Sequence, residues 1–593
     1  MIGTRTMDKK SRQITRDAFL AILPAQILAS LIPFLSGIIN GVVIGNCYSA
    51  NMISVIGFTT PVTYLLSSVR TLFSIGGGAT AGNYMGQGKL SKVNETFRLC
   101  ITTLVMIAII LMVSILLFNH QIAGMISDDE DLIMETARYL KGLALGFIPS
   151  LLIPFLSSYL QLAGSSKRVV FSSILNAAMN LGFDLVAVMV FHTDVMGIGV
   201  ATSIAQWISA AYLFISIIRT HFVSFSFSHS DIRILSNVLR FGINSCILVA
   251  LESVRNSIIV KQSYVLGGLN GSTAISVLFA SCGLVDFITS GFMSASMMIG
   301  SLYAGEENED ALSMSSKWAM LVGEIAGLLS GALFFIFAKP IALAFSSTIE
   351  GLPLAIAAIR IYAVYIMIVN PLQIILRFYQ CLKRVKTTFV LFILREFVIA
   401  IAAIFILGSL FGVRGVWMCF PVSAILGGLV VIGLSAYKSW KQKRKKLDLL
   451  WYDGSTTFTD SENFYVTDLT QLDSVLESVS VFCDRNNMDK KSAMACRLLA
   501  EENITTLLEH ADIVRKRNLM ISIFVGTNGD LTRLVFQDNS PQFDPLKRFH
   551  FYDEEKKDLI KDASISIVKG FAENTSYQFS FGMNIFMVDI VRR

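Results

Sequence analysis

Charge is scarce in this chain. Asp, Glu, Lys and Arg make up only 16% of its 593 residues, while hydrophobic residues make up 53%. A soluble protein carries about a quarter of its residues as charges. A wholly soluble chain is therefore excluded, and the mean hydropathy of +0.62 indicates a membrane protein. Paired cysteines are also missing. The eight cysteines (Cys47, Cys100, Cys246, Cys282, Cys381, Cys419, Cys483 and Cys496) show no CxxC or CxxH spacing, which indicates neither a disulfide framework nor a zinc site. Most lie in apolar runs, where Cys acts as a small hydrophobe. No basic face interleaved with aromatics is present, so the net charge of +6 does not point to nucleic acid. The Lys and Arg stand between apolar runs, where the positive-inside rule puts them. Finally, no small-residue cleavage site follows the first apolar run, about 18–43. That run is too long for a signal-peptide core and reads as a membrane helix behind Arg5, Lys9, Lys10, Arg12 and Arg16.

What is present is a long series of apolar segments, on a chain too long for one soluble core. Stretches of about 20 residues, enough to cross a bilayer, lie near 18–44, 53–77, 96–118, 135–163, 168–192, 195–218, 239–265, 273–302, 314–340, 355–381, 387–410 and 413–437. With a cytoplasmic N-terminus, alternate loops carry Lys89 and Lys92, Lys167 and Arg168, Arg219 and Arg233, and Lys383, Arg384 and Lys386. The intervening loops are neutral or acidic, as at Asp128–Asp131 and Ser346–Gly351, and one cytoplasmic loop, Glu306–Asp310, is acidic against the pattern. This bias places both ends of the membrane domain in the cytoplasm of a prokaryotic cell, the domain itself crossing the plasma membrane many times.

The two halves repeat. GNYMGQGKLSKVNE (82–95) matches GSLYAGEENEDALS (300–313), and QLAGSSKRVVF (161–171) matches QCLKRVKTTFV (380–390). Such repeats build a central site between two bundles in many secondary transporters. The expected organisation is a cytoplasmic N-terminus (1–16), a first six-helix bundle (17–219), an inter-bundle loop (220–232), a second six-helix bundle (233–437), a basic juxtamembrane linker (438–454) and a soluble domain (455–593). The linker contains KSWKQKRKK (438–446), a stop signal by the positive-inside rule or a lipid-recognising patch. In the soluble part, helices are expected near 468–486, 489–511 and 554–573, and strands near 519–526, 531–537, 575–580 and 583–590. This is an α/β domain attached to an all-α polytopic membrane domain.

Five stretches, NGVVIGNCYSANMISVIGFTTPV (40–62), GGGATAGNYMGQGK (76–89), LNAAMNLGFDLV (175–186), RFGINSCILVALESV (240–254) and VRGVWMCFPVSAILG (413–427), resemble the multidrug and toxic compound extrusion (MATE) family in their order through the spans. The tail stretches LLAEENITTLLEHA (498–511), FQDNSPQFDP (536–545) and DASISIVKGFAENTSYQF (562–579) resemble the histidine-kinase-type ATPase fold, in its anti-sigma-factor or serine-kinase branch. The first resemblance implies export of organic cations or amphiphilic drugs by Na⁺ or H⁺ antiport, with alternating access between the bundles. It implies no cofactor and no enzymatic activity.

An acid in hydrocarbon costs roughly 2.5–3.5 kcal/mol on insertion scales and is a functional suspect by default. Glu252 falls where the resemblance places an essential acid, ten residues after Gly242. The competing reading is an intrahelical pair with Arg255, three residues on, and Arg255 is a candidate counter-ion in either case. Asp184 and Asn180 share a helix face where the resemblance implies cavity-lining residues, or else they serve packing. Asp286 and Glu324 are weaker candidates, and Arg70, Arg377 and Arg395 are further candidate counter-ions. Where many relatives carry Asp this chain has Asn40, and where some do it has Asn370. An amide can ligate Na⁺ through oxygen but cannot release a proton near pH 7, so proton coupling through the first helix is disfavoured.

In the tail the resemblance implies a degenerate nucleotide site. Glu502 is followed by Thr506 in place of a Mg²⁺-holding Asn. The adenine-reading Asp-x-Gly becomes Asp538-Asn539-Ser540, and the phosphate-loop glycines become Asp562-Ala563-Ser564. Gly matters there because backbone must approach phosphate closely. The tail is expected to be a regulatory module that docks a soluble partner rather than a kinase. The other functions open at this level are a lipid or oligosaccharide flippase of the same superfamily, and a membrane receptor.

Overall fold

The computed structural model describes residues 16, 19–20, 22–28, 30–31, 59–124, 130–220, 233–345, 351–443, 447–451, 458–513, 519–544, 572–580 and 583–591. Asn40, most of the first expected span, the 220–232 loop, Asp562-Ala563-Ser564 and nearly all of the helix expected near 554–573 lie outside the described residues. Among them, nine helices are long and apolar enough to cross a membrane. A tenth span results if Ile133–Ala144 and Phe147–Leu162, bent by 48°, form one crossing.

The first bundle contains α1 (Thr60–Gly86), α2 (Leu90–Gly124), α3 (Glu130–Ala144), α4 (Phe147–Leu162), α5 (Ser166–Met189) and α6 (Val195–Arg219). Helix α2 shows why such segments fold as they do. Phe97, Cys100, Leu104 and Ala108 recur at helical spacing and are buried, whereas Met106, Ile110, Val113 and Leu117 are exposed. A helix whose outer face is also apolar is at home only against lipid.

The second bundle contains α7 (Arg233–Ser281), α8 (Gly283–Glu306), α9 (Glu309–Ile336), α10 (Ala338–Phe345), α11 (Leu352–Cys381), α12 (Val385–Ile393), α13 (Ala400–Phe411), α14 (Val413–Trp417) and α15 (Cys419–Lys441). A π-helical segment, Leu394–Ile399, joins α12 to α13. Two expected spans are corrected. The run 135–163 is broken at Gly146, where a Cβ would stand 2.7 Å from the Ser203 hydroxyl, so α6 packs into the break. The run 273–302 is divided between the end of α7 and α8. Helix α7 itself turns at Gly268, at φ 58° and ψ −152°, a conformation open to Gly alone.

The bundles meet through backbone. A Cβ on Gly76 would strike the Val238 carbonyl, one on Gly242 the Leu72 carbonyl, one on Gly86 the Leu302 carbonyl, and one on Gly305 the Asn83 carbonyl. Small residues let α1 lie directly on α7 and α8, as helices do where lipid supplies no hydrophobic drive for association.

The C-terminal part is a five-stranded antiparallel sheet of order β1-β2-β3-β5-β4, with β1 Asp460–Val466, β2 Ile521–Thr527, β3 Leu531–Asp538, β4 Ala572–Ser580 and β5 Met583–Val591. Strand β1 was not expected from the sequence. Two helices, α16 (Leu472–Arg485) and α17 (Lys490–Ile513), complete the domain. Strand side chains alternate between faces. Phe464, Ile523, Val525, Phe536, Phe586, Val588 and Ile590 share a core with the helices, whereas Phe524, Val535, Met583, Ile585 and Met587 belong to the same buried cluster as the membrane helices. The membrane domain thus forms the third layer of the tail.

Candidate functional site

The second bundle gathers charge in its interior. Arg255 on α7 is buried and pairs with Glu396, and Glu396 also accepts from Arg395 at 2.6 Å. Arg395 and Glu396 are neighbours in sequence, and both are buried in the π-helical segment. A π turn is the local irregularity that most often marks functional helix positions. Glu252 lies 3.6 Å from Arg255, but half of its side-chain surface stays accessible. Asp286 on α8 accepts a hydrogen bond from the Tyr362 hydroxyl of α11, which lies 2.8 and 3.0 Å from its two carboxylate oxygens. Tyr365 accepts from Arg395 at 3.0 Å. Phe420 of α15 closes the group, with Arg255 at 5.4 Å over its ring and Tyr362 edge-on at 5.1 Å.

The electrostatics of this cluster are uneven. Three carboxylates, Glu252, Asp286 and Glu396, face two guanidiniums, Arg255 and Arg395. Glu396 engages both arginines. Glu252 retains one longer contact with Arg255, and Asp286 accepts from a neutral hydroxyl. With all three acids ionised the cluster would carry one negative charge more than its arginines balance, at a depth where an unpaired charge is expensive. A proton on one of them would balance it.

Glu252 faces the other bundle. Tyr64 of α1 lies against Asn256 and near Glu252 and Arg255, so Glu252 stands on the side of α7 that meets α1, with half of its side chain accessible. The pairing of Glu252 with Arg255 that spacing allowed is present.

The remaining candidates are separate. Asn180 and Asp184 on α5 are buried inside the first bundle, where Asn180 donates to Thr202 at 3.1 Å and Asp184 stands near Tyr139. Asn370 is built into helix packing: it donates to the Gly323 carbonyl at 2.8 Å and accepts from Thr289 at 2.8 Å. Both ends of its amide are used. Glu324 is half-buried, outside the charged group. Arg70 donates to Ser150 at 2.5 Å, and buried Arg377 donates to Ser245 at 2.7 Å and Gln380 at 2.9 Å. Among the described residues, neither of these arginines serves a candidate acid. Sequence reasoning missed Glu396, Tyr362, Tyr365 and Tyr64. The signal available was Arg395-Glu396, a charged pair inside an apolar run.

In the tail, Asp538 is buried at the end of β3. Its carboxylate accepts from the Ser540 amide at 2.8 Å and from Asn584 at 3.0 Å. Asn584 also donates to Ser540 Oγ at 3.0 Å, and accepts from Tyr577 and the Phe543 amide. Burial pushes the Asp538 carboxyl above its ordinary range, against these hydrogen bonds. An internal amide thus occupies the carboxylate that would read a base. Glu502 and Thr506 are half-buried on α17, and His510 stacks on Phe543 at 4.2 Å. Among the described residues no group of His, Cys, Asp and Glu is arranged to hold a metal ion.

Comparison with known proteins places the membrane part. The family model described as MatE matches residues 25–186. Multidrug export protein MepA of Staphylococcus haemolyticus is 24% identical over 235 residues, which is 39% of this chain and 52% of that protein. The chain thus spans about half the length of the curated relatives it matches. Among solved structures, an outward-facing multidrug resistance MATE family transporter of the MOP superfamily superposes with a TM-score of 0.68 at 16% identity, over 74% of this chain and 100% of that one. A point mutant of the Vibrio cholerae MATE transporter VcmN gives 0.68 at 14% identity, over 75% and 100%. The membrane domain has the fold of these transporters, which belong to the MATE family. Members of that family are transporters, not enzymes.

Proposed function

We propose that this chain, on a MATE fold, is a secondary active transporter that exports organic cations or amphiphilic drugs by exchange for Na⁺ or H⁺. The coupling ion passes through the Glu252–Arg255–Glu396–Asp286 cluster. The observation that carries this reading is the half-exposed carboxylate of Glu252 at the edge of the buried charge network, on the side of α7 that meets α1. A group that gains a cation in one state and loses it in another is what coupling requires, and Glu252 is the most accessible of the three acids. The apolar and aromatic surroundings suit a bulky cation through burial and cation–π attraction. The name of the staphylococcal relative supports the drug-like substrate class. The positive-inside bias supports cytoplasmic termini, which makes the sheet domain a cytoplasmic regulatory tail.

The test is substrate efflux from proteoliposomes under separate H⁺ and Na⁺ gradients, wild type against Glu252→Gln. One gradient is expected to drive wild-type efflux at least tenfold faster than no gradient, and the variant is expected to lose that response. Efflux indifferent to both gradients and to the substitution would sink the assignment. A flippase of the same superfamily is the second reading. Arg377 favours it, as a buried guanidinium that donates to Ser245, Gln380 and Met293, all neutral, and competition of efflux by anionic lipid headgroups would select it.

A further inference from the structure

We propose that the C-terminal sheet is a clamp that holds the two bundles together at their tail-side end, so that transport requires its release. This inference rests on the alternating-access reading above, because only a protein whose bundles part at that end needs such a device.

The repeats noted in the sequence place four equivalent turns at this end, and each contains a residue of left-handed backbone: Gly88 at φ 72° and Gly164 at φ 70° in the first bundle, Glu307 at φ 58° and Lys383 at φ 58° in the second. The sheet holds the first three neighbourhoods, and the linker that leads into it holds the fourth. At the first turn, a Cβ on Gly88 would lie 2.8 Å from Met587 Sδ and 3.0 Å from Ser576 Oγ; at the second, a Cβ on Gly164 would lie 3.2 Å from the Phe579 ring. The first bundle has Gly where strands β4 and β5 sit on it, and the matching turns of the second bundle carry side chains.

Beside the third turn, Gln537 of β3 donates to both carboxylate oxygens of Glu306, at 2.9 and 3.1 Å, in a buried contact. Asn308 and Asn463 of β1 exchange hydrogen bonds at 3.1 and 3.2 Å, and Asn463 also reaches Asp310 at 3.4 Å. At the fourth, Arg384 donates to the Leu450 carbonyl at 2.8 Å and to that of Trp451. The acidic loop that broke the positive-inside pattern is thus a docking surface for the tail.

The contact lies over a closed gate. Gly86 and Gly305 put the last turns of α1 and α8 backbone to backbone, and Ser301 is fully buried against Gly82. A hydrogen-bonded sheet is stiff. It cannot follow two bundles moving apart, so its contacts to one of them must break before α1 and α8 separate.

The test uses the full chain in proteoliposomes with the tail side outward. Ser301→Cys is labelled by a membrane-impermeant maleimide and read by peptide mass. With the tail intact, labelling is expected to be slow. Gln537→Glu sets a second carboxylate against Glu306 and is expected to speed labelling about tenfold or more, the scale of a lost hydrogen bond to a charged group. Adding Glu306→Gln to Gln537→Glu restores the donor–acceptor pair and is expected to restore slow labelling, which a merely misfolded tail would not do. Asn463→Asp, facing Asp310, gives a second and independent disruption. Labelling at the wild-type rate in both Gln537→Glu and Asn463→Asp overturns the clamp. If labelling responds but no gradient drives efflux in any variant, the clamp stands and the transport reading falls. If efflux runs and labelling never responds, the reverse holds.

Discussion

Glu396 is the keystone of the buried charge network, and Glu396→Gln isolates its contribution. The substitution keeps side-chain volume and one acceptor oxygen, so packing against Arg255 and Arg395 is preserved while the charge is lost. Both arginines are nearly inaccessible, at 7% and 2% side-chain exposure, and Glu396 is at 5%. Removing one member of a buried pair costs about 3–5 kcal/mol, because the partner stays buried and unneutralised. Here Arg395 is left with the neutral Tyr365 hydroxyl while Arg255 keeps Glu252 at 3.6 Å, so the middle of that range applies. Spread over a unit the size of the second bundle, at roughly 2–4 °C per kcal/mol, the melting temperature in detergent should fall on the order of 10 °C. Glu252→Gln is the control. Its 3.6 Å contact is half exposed to water, and such pairs contribute about 0–1 kcal/mol, so its melting should stay within a few degrees of wild type. Melts of both variants, followed by size-exclusion recovery, check the contrast. A Glu396→Gln protein that melts with wild type, or a Glu252→Gln protein that falls as far as Glu396→Gln, refutes the division into one structural and one exchanging carboxylate.

Trp451 anchors the linker: it stacks on Tyr379 at 4.5 Å, donates to Ser435 at 2.7 Å and lies under Lys438 at 4.2 Å. Trp451→Ala should therefore cost about 3–5 kcal/mol locally and speed tryptic release of the tail at the basic linker by an order of magnitude or more, measured as a fragment time course. Asp538 gives a pH dependence of known sign. Burial raises its folded-state pKa above the ordinary value of 3.8, so between that value and the raised one the folded tail binds more protons than the unfolded chain. Its contribution to stability is full below pH 3.8 and is lost as pH climbs through the raised value. Asp538→Asn should flatten that slope, read as hydrogen-exchange protection of β2–β3 peptides corrected for intrinsic rate.

Hydropathy made most of the membrane domain legible because a lipid-facing helix must be apolar on its outer face as well as its inner one. The spans seen at α2, α5, α6 and α9 begin and end within several residues of the expected runs. Breaks were less legible. Gly146 interrupts a helix within a stretch whose hydropathy does not dip, and a glycine in a membrane helix serves close packing as often as it serves a turn, whereas the turn at Gly268 falls in the gap expected between the runs 239–265 and 273–302. The site was half legible. Glu252 and Arg255 are readable from spacing along one helix. The link of Arg255 to Glu396, 141 residues away, depends on a π turn that no local pattern announces. At Asn370, where the resemblance implies Asp in some relatives, the structure uses both ends of the amide to join α8, α9 and α11. In the tail, β1 was missed because an edge strand with the sequence DSENFYV looks like linker until a sheet is there to receive it.

The gate and the charge cluster are connected through one helix. Gly242 of α7 packs on the backbone of α1 at Leu72, and Gly76 of α1 packs on Val238 in return. These are two of the places where the bundles touch without side chains between them. Glu252 lies ten residues beyond Gly242, about 15 Å along an α-helix, and the clamped turns lie on the other side of that contact. Helix α7 therefore meets α1 through backbone, with Glu252 on one side of that contact and the tail-side end of the bundles on the other. Backbone contacts of this kind allow rotation but resist compression, because close-packed interfaces shift between discrete arrangements rather than deform. On the proposed reading, neutralising Glu252 changes the attraction between α7 and Tyr64 on one side of the contact, and the tail resists the answering movement on the other. Coupling and regulation would then act on the same rigid element from opposite ends.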